Sequence, residues 1–308
     1  MAYETTPFFL TEGAVGTRLA EEFGLAPDEY IDKAALLYDK AGRRALESIY
    51  GGYLQVAGED NLPLMLMTNT RRANRERMAL ADRAYQNVMA DYTKFLRELA
   101  GKHHSQVYIG GIMGCRGDAY TRAGALTREE AVAFHSWQAE QMVQAGVDFV
   151  FAAIMPSVEE TVGLSQAVAA VELPYIVSFM LGRSGRLPDG HFLHRAMQTV
   201  EEAMGAQRPL GYMANCIHPA ILQAALQQPD NKTELVRMRF HGIQANGANA
   251  EPEELEGAAV AIANDGPEEL AESLRQLCRV QPMKVMGGCC GTDVKHIEAI
   301  ASLAGETL

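Results

Sequence analysis

The chain has 308 residues, 48% hydrophobic and 21% charged, with a formal net charge of −12. So acidic a balance excludes nucleic acid as a partner, which requires a basic footprint, and no apolar run approaches the roughly 18 residues of a membrane-spanning helix. The N-terminus, Met1-Ala2-Tyr3-Glu4-Thr5-Thr6-Pro7, lacks the basic head and apolar segment of a secretory signal, so a cytoplasmic protein is expected. Five cysteines are an odd number without the dense spacing of a disulfide scaffold. In a reducing compartment they are free or metal-bound thiols.

Apolar, strand-like runs alternate with amphipathic, helix-like ones. Phe8-Phe9-Leu10 leads into the turn Glu12-Gly13-Ala14-Val15-Gly16-Thr17, and a long helix is predicted over 28–56, with Leu36, Leu46, Ile49 and Tyr53 at helical spacing. A strand over 62–68 ends in Asn69-Thr70, and a helix is predicted over 74–99. Strand 107–113 is followed by helix 127–145, which Thr127 and Glu130 begin as a capping box. Strand 148–155 is followed by helix 158–171 with Ser157 as its cap. Strand 175–181 is followed by a glycine-rich loop and helix 191–204. Strand 210–215 ends at Cys216, ahead of a short helix over 219–227. Strand 238–245, helix 267–278, strand 284–288 and helix 293–303 complete the chain.

Strict alternation implies a parallel sheet with right-handed crossovers, and about eight units in a chain of this length match a (β/α)₈ TIM barrel. A doubly wound sheet would want Gly-x-Gly-x-x-Gly after its first strand, which residues 12–17 do not supply. No linker or low-complexity stretch interrupts the chain, so residues 1–308 are read as one domain.

The barrel reading brings distant cysteines together. Cys289 and Cys290 end the eighth strand between glycines, in Gly287-Gly288-Cys289-Cys290-Gly291-Thr292, and Cys216 ends the sixth. Barrel sites form at the C-terminal ends of strands, where side chains of alternate strands share a layer. For two adjacent thiols to reach one point the backbone must turn, and Gly287, Gly288 and Gly291 are expected to allow it. Three thiolates suit Zn²⁺. His218 as a fourth ligand would make the site structural, and an open fourth position would make it catalytic. Three thiolates leave the zinc complex near −1, poor at activating water but able to deprotonate an incoming thiol and leave it nucleophilic, so sulfur alkylation is expected rather than hydrolysis. Cys115 and Cys278 are read as structural. Thr70, Asn215 and Asn246 stand at strand ends facing the same mouth, as substrate contacts or turn caps. Arg71, Arg72 and Arg75 follow the second strand, as carboxylate ligands or a solvated helix start. Met113, Met155, Met180 and Met213 end strands, as an apolar rim or as barrel core.

Gly287 to Thr292, with Asn215-Cys216 upstream, resembles the homocysteine S-methyltransferase family. Glu12-Gly13-Ala14-Val15-Gly16-Thr17 resembles that family's N-terminal Asp-Gly-x-x-Gly-Thr, Thr68-Asn69-Thr70 its second-strand motif, and Asp189-Gly190 its loop after strand five. The resemblance implies a zinc barrel that methylates a thiol, homocysteine by default, with Cys216, Cys289 and Cys290 as catalytic metal ligands and Glu12 and Gly13 among the substrate contacts. It implies a small-molecule thiol and a methyl donor: S-methylmethionine, a betaine-like compound, or a separate methyl-corrinoid protein. Two departures bear on substrate. Glu12 replaces the family's Asp, and Ala153-Ile154 stand where the fourth strand usually ends in Glu-Thr. The same chemistry on another small thiol is therefore an alternative, and a non-catalytic barrel with structural zinc is a second.

Overall fold

The computed structural model describes residues 3–82, 85–251, 254 and 263–305. Its strands are β1 (Phe9–Thr11), β2 (Leu64–Met67), β3 (Val107–Met113), β4 (Phe149–Met155), β5 (Tyr175–Phe179), β6 (Gly211–Ile217), β7 (Phe240–Ala245) and β8 (Val285–Gly288). Each pairs in parallel with the next and β8 returns to β1, closing a barrel in chain order. The helices are α1 (Gly16–Glu21), α2 (Lys40–Glu59), α3 (Arg75–Leu80), α4 (Val88–Ala100), α5 (Arg128–Ala145), α6 (Val158–Ala170), α7 (Leu193–Met204), α8 (Pro219–Leu226), α9 (Glu234–Arg239), α10 (Pro267–Val280) and α11 (Val294–Ser302). The expected α/β barrel is the fold found.

Side-chain alternation along the strands makes two apolar layers. Phe9, Met65, Met67, Phe149, Phe151, Ile176 and Met213 fill the interior. Their neighbours, such as Leu10, Leu66, Val150, Val177 and Ile243, pack outward against the helices. Gly110 makes room inside, because a Cβ there would stand 2.6 Å from the Phe149 ring.

Polar turns override apolar periodicity where the predicted helices differ from those found. The helix expected over 28–56 begins only at Lys40. Asp28 Oδ1 accepts from the Tyr30 and Ile31 N–H groups, both at 2.9 Å, and Asp32 has φ 57. A short 3-10 helix (Lys33–Leu37) follows, and Asp39 then caps α2 through Gly42 N–H at 2.7 Å. Carboxylates that bond nearby N–H groups favour turns over helix interiors. The helix expected over 74–99 is likewise split: Asn74 caps α3, Ala81 is extended at its end, and α4 starts at Val88. Positions 83 and 84 lie outside the described residues. Residues 238 and 239, expected in the seventh strand, belong to α9, which Thr233 caps.

The capping box of Thr127 and Glu130 forms. Ser157 occupies the N-cap position of α6 but its hydroxyl makes no cap bond. Asp189 accepts from Val158 N–H instead, at 2.7 Å. One turn on, Glu160 is fully buried. Its carboxylate accepts from Arg116 N–H at 2.6 Å and Leu126 N–H at 3.4 Å, and lies 3.4 Å from His135 Nε2. It thereby ties the loop between β3 and α5 to the barrel. Glu160→Ala leaves those N–H groups without their acceptor and is expected to lower unfolding stability by about 3 kcal/mol. A lower urea midpoint at unchanged m-value is the check.

Candidate metal and substrate site

Cys216 reaches the mouth through an irregularity that periodicity does not reveal. The register of β6 against β7 shifts between Asn215 and Ile217, and Cys216 has φ 56. That left-handed conformation costs a residue with a Cβ about 1–2 kcal/mol. Asn215 beside it is held by the Ser178 hydroxyl, which donates to its Oδ1.

The other two cysteines are carried by an extension of the β7–β8 ladder. Cys289 N–H donates to Ala245 O at 2.7 Å, and Gly247 N–H donates to Cys290 O at 2.9 Å. Thr292 Oγ1 donates to Cys289 O at 2.7 Å and accepts from Ala14 N–H at 3.1 Å. Of the glycines expected to turn the chain, only Gly291 has positive φ, at 77. Gly287 and Gly288 remain in β8, where the missing Cβ admits the close approach of Thr11 and Thr292.

The sulfurs of Cys216, Cys289 and Cys290 lie within 4.8 Å of one another. The sulfurs of Cys216 and Cys289 are in direct contact, with Cα atoms 5.4 Å apart. Cys115, Cys278 and Cys290 are free. Cys216, Cys289 and Cys290 together present three soft donors on about the scale of a tetrahedral centre, where Zn–S bonds of about 2.3 Å put sulfurs about 3.8 Å apart. His218 is no fourth ligand as placed. Its Nδ1 accepts from Ala220 N–H at 3.2 Å and its Nε2 faces Asp265 Oδ2 at 3.0 Å. Burial lowers its pKa and Asp265 opposes that. Among the described residues, the three cysteines are the one such cluster able to hold a metal ion.

A cavity of about 260 Å³ opens at these sulfurs. Glu12, Gly13 and Asn215 line it, whereas Thr70 and Asn246 do not. Thr70 is buried, with its hydroxyl 2.7 Å from Thr68 Oγ1 and 3.1 Å from Ile112 O. Asn246 Oδ1 accepts from Ala248 N–H at 3.2 Å, as a turn cap does. Arg71 is at the cavity, and so are Lys33, Tyr120, Phe151 and Gln244, which the sequence did not single out. Gln244 was within reach of pattern reading, since it shares an inward face of β7. Lys33 comes from the segment read as helix and carried no signal. Of the strand-end methionines only Met180 packs beside Cys216, in an apolar cluster with Ala119 and Ile154. Met113 and Met155 belong to the outer core and Met213 to the barrel interior.

Charge around the cavity is lopsided. Glu12 is buried at 6% exposure, and Met67 N–H faces both its oxygens at 3.2 and 3.1 Å. Burial pushes its carboxyl up to about 8, more than those backbone hydrogen bonds pull it down. Burial also raises the Cys290 thiol, against the pull of Lys33 and Arg71 and with a push from Glu21. Cys115 is pushed up to about 12 by burial and Glu160. Its sulfur lies 3.5 Å from Gly117 O, outside the three-sulfur cluster. Cys278 packs on Met286, with 3.8 Å between sulfurs.

No curated protein sequence is significantly similar to the chain. Among solved structures it is similar to the homocysteine methyltransferase MmuM from Escherichia coli, at 19% identity in each of three states. The metallated form has a TM-score of 0.75 and covers 97% of both chains. The oxidized form has a TM-score of 0.74 and the apo form 0.69, each covering 98% of this chain and 97% of MmuM. At that identity the likeness speaks for the fold. The profile of the family described as homocysteine S-methyltransferase matches residues 9–304. Since that match takes in every strand of the barrel and all three converging cysteines, the chain belongs to the homocysteine S-methyltransferase family and is a thiol S-methyltransferase.

Proposed function

We propose that the protein transfers a methyl group from a small-molecule donor to the sulfur of homocysteine, with zinc held by Cys216, Cys289 and Cys290. The observation that carries this reading is the approach of three sulfurs to within 4.8 Å of one another at the mouth, beside a His218 whose ring nitrogens are both engaged. Such a donor set fits zinc with an open fourth position. Zinc bound there supplies the lowered thiol pKa that makes a sulfur nucleophile available at neutral pH.

The chain's own residues supply the rest. Ala119, Ile154 and Met180 make an apolar wall against Cys216, which keeps water from competing with the thiol and suits a methyl group. Glu12 and Asn215 give the cavity hydrogen-bonding groups, with Asn215 oriented by Ser178. The donor in this reading is an onium compound of the S-methylmethionine or betaine type.

After reduction, the wild type is expected to bind about one zinc per chain. Cys216→Ala should lose most of that metal and about a hundredfold or more of its methylation rate. Metal analysis beside a homocysteine assay is the check, and a reduced wild type that methylates equally well after zinc removal would overturn the reading. Glu12 gives a pH prediction of definite sign. Its carboxyl is raised from 4.5 to about 8 in the folded protein, so the native state holds a proton that the unfolded chain has lost. The resulting stabilisation is full below about pH 4.5 and is lost as pH rises through about 8. Wild type should therefore lose stability relative to Glu12→Gln between pH 5 and 8, as read by denaturant titration at each pH.

A further inference from the structure

The cavity at the three sulfurs holds two cations and one carboxyl group. Glu12 is that carboxyl, and Met67 N–H faces both of its oxygens. The cations are Lys33 and Arg71. Among the described residues Arg71 has no ion-pair or hydrogen-bond partner. Lys33 has a loose one, Asp32 at 3.7 Å, and its side chain is 36% exposed. Two glycines seat these side chains. A Cβ on Gly16 would lie 2.6 Å from Lys33 Nζ. A Cβ on Gly114 would lie 3.0 Å from Arg71 Cδ and 3.2 Å from Ala153 O, so the arginine stem runs over bare backbone beside the Ala153 carbonyl.

An unpaired guanidinium at a cavity wall suits a bidentate carboxylate, and the nearby ammonium adds a second donor. Among the described residues the one carboxyl that lines the cavity, Glu12, is already turned to Met67 N–H and so is not free for a ligand's ammonium. Burial also raises that carboxyl from 4.5 to about 8. Glu21 is exposed and outside the cavity lining.

We propose that Arg71 and Lys33 select the acceptor by its carboxylate, so that mercapto acids without an amino group are acceptors alongside homocysteine. The inference rests on the thiol S-methyltransferase reading above and adds the anchor that this chain's cavity provides. An ammonium contributes little because, among the described residues, the one carboxyl at the cavity is taken up by Met67 N–H, whereas removing the carboxylate leaves the arginine without its ligand.

The test is thiol binding to the reduced full-length chain loaded with Co²⁺, followed by the cobalt absorption spectrum. The three probes are homocysteine, 4-mercaptobutyrate, which lacks the amine, and 3-aminopropane-1-thiol, which lacks the carboxylate. The expected result is a Kd for 4-mercaptobutyrate within about tenfold of homocysteine, and binding of the aminothiol weaker by about a hundredfold. Arg71→Gln should weaken both carboxylate thiols by about tenfold or more and leave the aminothiol unchanged, and Lys33→Gln should act in the same direction. Equal weakening of all three thiols in Arg71→Gln, or an aminothiol that binds as tightly as homocysteine, would overturn the proposal. If homocysteine perturbs cobalt but 4-mercaptobutyrate does not, carboxylate selection fails while the methyltransferase reading stands. If no thiol perturbs cobalt, both fall.

Discussion

The site depends on the parallel ladder between β7 and β8 continuing past the end of β8. Ala245 O and Gly247 N–H hold the backbone of Cys289 and Cys290, so a sheet contact sets two of the three sulfurs. Thr292 bridges the same turn to the loop after β1. Barrel closure therefore acts directly on the chemistry. Strands β6, β7, β8 and β1 are consecutive in the closed sheet, and the sulfurs sit where their ends meet. A rigid mouth of this kind holds three sulfurs close without local sequence spacing.

Around that frame the protein balances charge sparingly. Three clustered sulfurs share the cavity with Lys33 and Arg71, and among the described residues Glu12 is the one carboxyl there. Burial raises the carboxyl of Glu12 beside them, so that it holds its proton more tightly than an exposed carboxyl would. Ile112, Phe151 and Ile154 make part of the remaining wall apolar, with Ala119 and Met180 packed behind Ile154 and Cys216. In such surroundings each charge counts for more than it would in water.

The barrel was legible from alternation alone, because buried parallel strands and amphipathic helices have distinct periods. Element boundaries were legible wherever a cap and its partner lay close in sequence, as with Thr127 and Glu130. They failed at Asp28 and Asp39, where side chains that bond nearby N–H groups broke an apolar pattern that looked continuous, and at Ala81, where the chain becomes extended between α3 and α4.

For the site, the sequence by itself placed three cysteines together: two end one strand and a third ends another, and a (β/α)₈ barrel puts both ends on one face. Only the tertiary structure decided which polar side chains face those sulfurs. Thr70 and Asn246 are spent on local hydrogen bonds, while Lys33 and Arg71 reach the cavity over Gly16 and Gly114. It also decided how Cys216 is aimed, through a register shift and a left-handed residue. The physical reason is that strand position follows from a local period, whereas a side chain's direction at a strand end depends on the space and partners that distant segments leave it.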